Sequence, residues 1–174
     1  ENRDWTNWKA YMDPVACEPG KEVFHPRPGH ADLAGVLKYD RKDARDILER
    51  ASARETAARV AAGACARSLL EALGVEIASC VMSLGGVTVP LEPDFPTLRG
   101  LDPDLPDSDA HCHQSMLDAL KDAKQAGDTL GGAVQVAATG LVPGLGSHAQ
   151  WDRRLDARLA AQFASIPSVK GVLF

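Results

Sequence analysis

The chain has 174 residues, 45% of them hydrophobic and 25% charged, which is enough to bury the core of one domain. With 19 basic against 24 acidic side chains its formal charge is -5, so the chain as a whole attracts neither a nucleic-acid backbone nor an anionic membrane, and any anion has to be held by clustered arginines. No apolar run reaches the roughly 18 residues of a membrane-spanning helix, and the polar, charged start has no basic-then-apolar leader, so a soluble cytoplasmic protein is expected.

The first residues, from Glu1 to about Tyr39, carry Pro14, Pro19, Gly20, Pro26, Pro28 and Gly29, a density of breakers that predicts loops. From Ser52 to Gly74 the pattern becomes helical. Ser52 followed by Glu55 reads as a capping box, the alanine-rich run has high helix propensity, and Gly74 stands where a left-handed C-terminal cap belongs. The small side chains of Val60, Ala61, Ala64, Cys65 and Ser68 predict a buried central helix.

Val75 to Leu84 is apolar and β-branched and predicts a strand ending at Gly85-Gly86. Pro90 to Asp107 holds Pro90, Pro93, Pro96, Pro103 and Pro106 and predicts an exposed excursion (90–107). A helix is expected over about Ser115 to Ala126, with Met116, Leu117, Leu120 and Ala123 on one face and Gly127 at its end. A strand from about Ala133 to Thr139, a glycine-rich turn over 140–147 and a helix from about Asp152 to Ala164 follow, the last with Leu155, Leu159 and Phe163 recurring every fourth residue. Val172-Leu173-Phe174 reads as the start of a buried strand; with no initiating Met at the other end, both termini read as cut and the sequence as a single partial domain of a longer protein. The order of helices and strands predicts an α/β (α+β) layered domain.

The four cysteines, Cys17, Cys65, Cys80 and Cys112, form no CxxC pair and are expected to be reduced structural thiols. His111-Cys112-His113 alternates too closely for all three side chains to reach one ion on a helix, so no metal site is expected and the segment reads as a solvated helix entrance. Trp151 is expected to pack, and Asp152, Arg153, Arg154 and Asp156 to form surface or subunit-interface ion pairs.

Three collinear clusters stand out. The first is His25-Pro26-Arg27-Pro28-Gly29-His30-Ala31-Asp32, followed by Lys38-Tyr39 and Asp43. The second is Leu48-Glu49-Arg50-Ala51-Ser52-Ala53-Arg54-Glu55-Thr56-Ala57. The third runs through Gly127-Asp128-Thr129-Leu130-Gly131-Gly132, Gly144-Leu145-Gly146-Ser147 and Gln150 to Asp156, ending at Ser165-Ile166-Pro167-Ser168-Val169-Lys170-Gly171. Together they resemble the chorismate synthase family over nearly the whole chain, leaving only the proline-rich excursion unmatched.

That resemblance implies a lyase converting 5-enolpyruvylshikimate 3-phosphate to chorismate and phosphate by 1,4-elimination, with reduced FMN bound but not consumed, and leaves NADPH open as the flavin's reductant. It also implies a homotetramer and a layered sandwich with helices packed between sheets. His30 matches a histidine thought to act as an acid towards flavin and substrate, a task for which imidazole is suited near neutrality; the alternative is a loop histidine bonding its own backbone. Arg27 and Arg54 match substrate-binding arginines, and Arg50, Ala51 and Ser52 match a flavin-contacting run at a helix N-terminus, where backbone amides favour anions. Each arginine could instead be a solvated surface charge, and Ser52 simply a helix cap. Pro167 and Ser168 match a second flavin-contacting position. The family's site also draws on N- and C-terminal segments absent from this sequence. A truncated, catalytically incompetent module for ligand binding or oligomerisation therefore remains the alternative reading.

Overall fold

Asp43 organises the first part of the chain. In this computed structural model, which describes residues 6, 9, 15, 22–51, 53–90, 93–101 and 110–174 (backbone only at 110 and 111), its Oδ1 accepts from the backbone N–H of Val23 and of Arg45, each at 2.8 Å. Those two bonds lower the Asp43 carboxyl pKa. The N–H of the buried Ala44 donates to Val23 O at 2.8 Å, completing a clasp on the incoming segment.

The residues group into two compact units, Glu1–Ala61 with Ile166–Val169, and Ala62–Ser165 with Lys170–Phe174. In the first, helix α1 (Asp32–Tyr39) ends on Asp40 in the left-handed region (φ 50°) and is followed by the short helix α2 (Arg45–Leu48). The two meet at Gly35, where a Cβ would stand 2.5 Å from Ile47 Cγ2, so the close approach needs glycine. The expectation of loops up to Tyr39 is thus corrected: the prolines end at Pro28, and the residues after Gly29 form α1 even with Gly35 inside it.

Helix α3 (Ala53–Ala72) forms where the alanine-rich run predicts it. Its end is a Schellman motif: Gly74 (φ 79°) donates to Glu71 O at 3.0 Å and Val75 to Leu70 O at 2.9 Å. The expected burial is not found, since no residue of α3 is buried and Val60, Leu69 and Leu73 are all more than 60% exposed. Helix propensity is local, whereas burial needs a covering surface that propensity does not supply.

The second unit contains a three-stranded antiparallel sheet in the order β2-β1-β3: β1 (Glu76–Leu84), β2 (Val87–Thr88) and β3 (Gly132–Thr139). Gly85 (φ 59°) and Gly86 (φ 86°) form a two-residue connection with both central residues at positive φ, the type I′ geometry that matches strand twist. β1 pairs with β3 from Glu76↔Thr139 to Leu84↔Gly132, with a bulge between Val81 and Ser83. At the end of β3 the chain turns at Gly140, which lies so close to Gly74 that a Cβ would collide with the Gly74 carbonyl.

Two helices of this unit differ from expectation. Within the proline-rich stretch, helix α4 (Phe95–Arg99) is capped by Asp94, whose Oδ1 accepts from Thr97 N at 3.0 Å, and its Leu98 is buried. Pro96 lies in the first turn of this helix, where it costs no hydrogen bond. Helix α5 (Ala110–Ala126) starts about five residues earlier than the sequence pattern suggests and ends at Gly127 (φ 67°), as that pattern predicts. Its buried face carries Cys112 and Met116, which form the core with Val89 against Val81, Met82, Leu84 and Val87. The solvated reading of the Cys112 segment is corrected accordingly: Cys112 faces the core, not water.

The last helix, α6 (Leu155–Ala164), is separated from a single 3-10 turn (Trp151–Arg153) by Arg154 in extended conformation. Trp151 is 79% exposed, so it does not pack. Arg154 and Asp156 form the expected surface ion pair, at 2.5 Å. Residues 172–174 form no strand, with Leu173 and Phe174 exposed, because no strand edge among the described residues pairs with them.

Candidate functional site

The His25–Asp32 loop brings Arg27, His30 and Asp32 together. The Asp32 carboxylate accepts three hydrogen bonds from Arg27: from its backbone N–H (2.9 Å), Nε (2.9 Å) and Nη2 (3.0 Å). Asp32 is 0% exposed, whereas the Arg27 side chain is 40% exposed. The Arg27 hydrogen bonds bring the Asp32 carboxyl pKa down to about 2, outweighing the upward push of burial, with the charges of Arg27 and His30 acting in the same sense. The same pairing raises the Arg27 pKa. A guanidinium has five N–H donors, so an Arg27 that gives Nε and one Nη2 proton to Asp32 keeps Nη1 and the outer Nη2 proton for another acceptor.

The turn that positions His30 uses Gly29 at φ 72°. His30 is exposed, and its Nδ1 lies 3.1 Å from Pro28 O. This is the backbone bond of the plainer sequence reading, and it has a chemical consequence. A carbonyl only accepts, so Nδ1 carries the proton and Nε2 faces outward as the nitrogen able to take up or release one.

At the junction of α2 and α3, Glu49 bridges two arginines: Arg54 Nε at 2.5 Å and Arg45 Nη1 at 3.3 Å. Arg54, half-exposed, therefore has a carboxylate partner next to the first turn of α3. Arg50 is exposed, and among the described residues its guanidinium has no ion-pair partner. Ala51 is half-buried, and Ser52 lies outside the described residues. Glu55 pairs with Arg59 at 2.7 Å, and the capping-box bond expected between Glu55 and Ser52 lies outside the described residues.

Pro167 and Ser168 are exposed and occupy the centre of a turn closed by Val169 N to Ile166 O at 3.2 Å. Ser168 has φ 72°, a position glycine usually fills, so its backbone is held in a sparsely populated conformation. All the candidate residues belong to the same compact unit. They do not line its cleft of about 520 Å³, which is formed by Glu22, Val23, Phe24, His25 and Arg45. A second cleft, of about 660 Å³ in the other unit, is formed by the Gly144–His148 loop with Arg154, Leu155, Asp156, Leu159 and Phe174. Among the described residues no acidic, His or Cys cluster is placed to hold a metal, and no helix is long and apolar enough to cross a membrane.

Sequence reasoning missed Asp32 and Glu49 as partners of the candidate arginines. Both stand inside the quoted clusters, and the available signal was an acidic residue within five positions of each arginine.

The fold and the site define a mixed helix-and-strand protein with arginines gathered around a loop–helix junction, an arrangement suited to anionic ligands. The chain belongs to the chorismate synthase family, whose family model matches residues 1–174. It is 51% identical over 173 residues to a chorismate synthase of Moorella thermoacetica, covering 98% of this chain and 45% of that protein. To one of Desulforudis audaxviator it is 52% identical over 179 residues, covering 99% and 45%. A solved structure described as a crystal structure of chorismate synthase superimposes with a TM-score of 0.71 at 41% identity, covering 81% of this chain and 46% of the other. The chain thus spans a little under half the length of the curated relatives it matches.

Proposed function

We propose that this chain is the central part of a chorismate synthase, a lyase that converts 5-enolpyruvylshikimate 3-phosphate to chorismate and phosphate by 1,4-elimination with reduced FMN. The observation that carries this reading is the His25–Asp32 loop, where a carboxylate-held arginine and an outward-facing imidazole nitrogen lie three residues apart in a chain matched throughout to that family. A phosphate ester bearing carboxylates needs N–H donors and a proton-exchanging group, and this loop holds both.

In this reading Arg27 and Arg54 bind the anionic groups of the substrate, Arg54 by releasing or sharing Glu49. His30 acts through Nε2 as the acid towards flavin and substrate. Arg50, Ala51, Ser52, Pro167 and Ser168 contact the flavin. The residues present fit such a group: Arg50 offers an exposed guanidinium to a phosphate, Ala51 leaves room beside it, and Ser168 offers an exposed hydroxyl. Bound there, reduced flavin would supply electron density for the loss of phosphate and leave the turnover unconsumed. NADPH as reductant, a homotetrameric assembly and a cytoplasmic location belong to the same proposal.

The test is His30→Ala in the complete reading frame that contains this chain. Turnover should fall by about 10² to 10⁴, the usual contribution of a general acid, while flavin binding followed by absorbance changes little. Near-normal turnover at saturating substrate would remove His30 from the reaction.

A further inference from the structure

Asp32 is the buried charged side chain among the described residues, and the reaction outlined above gives it no task. A carboxylate withdrawn from water is costly unless it is paired, and all three hydrogen bonds that Asp32 accepts come from a single residue, Arg27. The two side-chain bonds, at 2.9 and 3.0 Å, form a fork that fixes the guanidinium plane, and the third ties the Arg27 backbone to the same carboxylate. A partly exposed arginine without such a partner would sample many rotamers and have to be ordered when a ligand arrives. Here the ordering precedes the ligand.

We propose that Asp32 is a positioning residue for ligand binding: it holds the Arg27 guanidinium in place so that the edge left free, Nη1 and the outer Nη2 proton, meets a phosphate or carboxylate oxygen already aligned. The inference rests on the reading of Arg27 as a substrate arginine. Because the Arg27–Asp32 pair is neutral in sum, it presents the ligand with oriented N–H groups rather than net charge, which distinguishes Arg27 from the exposed Arg50.

The test is made in the complete protein with 5-enolpyruvylshikimate 3-phosphate, measuring Kd by calorimetry with oxidised flavin, where there is no turnover, and KM and kcat with reduced flavin. Asp32→Asn keeps the volume but turns one oxygen into a donor facing donors. It should raise Kd and KM roughly tenfold while kcat stays within about threefold, the pattern of lost binding rather than lost chemistry. In an Arg27→Ala background the same substitution should add less than about twofold, because nothing remains to be positioned. Equal losses in both backgrounds, or an Asp32→Asn protein that binds as tightly as the parent, would overturn the proposal. If Arg27→Ala alone binds normally, the substrate role of Arg27 has failed instead, and the positioning role fails with it. If Asp32→Asn does not fold, Asp32→Glu decides: it keeps Arg27 and the charge that Arg27 needs but displaces the fork by one methylene, so a roughly tenfold higher KM supports the proposal and an unchanged KM rejects it.

Discussion

At the scale of single residues, the Arg27–Asp32 pair makes the protein sensitive to acid in a defined window. The Asp32 carboxyl titrates near 2 in the folded chain against an ordinary 3.8, so its contribution to stability is complete above about pH 4 and is lost as the pH falls towards 2. Denaturant midpoints measured from pH 6 down to pH 2 should therefore fall less steeply below pH 4 in Asp32→Asn than in the parent. Among the described residues, Asp43, Asp94, Asp118 and Asp156 add to the acid slope in the same sense, since hydrogen bonds lower their pKa values too. As candidates, Arg27 and His30 stand out in the sequence, because the Pro-Arg-Pro-Gly-His run sets their types and spacing. The task of Asp32 was not legible, since it depends on the loop turning back through five residues to place the carboxylate under the guanidinium. Arg54 shows the same limit. Read as a sequence it is a cation in an unfavourable first turn, and only the fold brings Glu49 within 2.5 Å of it.

At the scale of elements, the signals that survived are those written in backbone geometry. Gly74 and Gly127 end helices, and Gly85-Gly86 turn a hairpin, because a positive φ costs glycine nothing and most other residues something. Gly140 carries a stronger constraint, since it combines φ 76° with the backbone of Gly74 at the place where a Cβ would stand. No side-chain rotamer can relieve a clash with a carbonyl. Gly140→Ala should cost on the order of 3 kcal/mol in urea unfolding, more than an ordinary surface substitution, whereas Gly144→Ala, at φ 93° but in open space, should cost about 1 kcal/mol. Equal costs would show that φ rather than the close approach governs Gly140. The elements that depart from the sequence pattern are those set by contacts: α1 lies hidden behind the prolines before it, and the small side chains of the alanine-rich α3 predict a close neighbour that no described residue provides.

At the scale of the whole molecule, exposed apolar surface on α3 and β3, including Val60, Leu69, Val134 and Val136, accompanies a chain that covers a little under half of its relatives. On the proposal that the site is completed by segments outside these residues, the isolated chain should give no turnover with 5-enolpyruvylshikimate 3-phosphate and chemically reduced FMN. Chorismate formation above the no-protein control, followed by absorbance, would show that it needs nothing further. The core of the sheet unit also has a use that concerns neither ligand nor reaction. Cys65 is exposed while Cys80 and Cys112 are buried, and none of the three is in a disulfide among the described residues. In a Cys17→Ser background, an aromatic disulfide reagent should modify Cys65 at once, Cys112 only as fast as α5 and the sheet part company, and Cys80 only as fast as its strand is uncovered. The slow phase would then time the breathing of this unit, so the chain carries its own stopwatch for local opening.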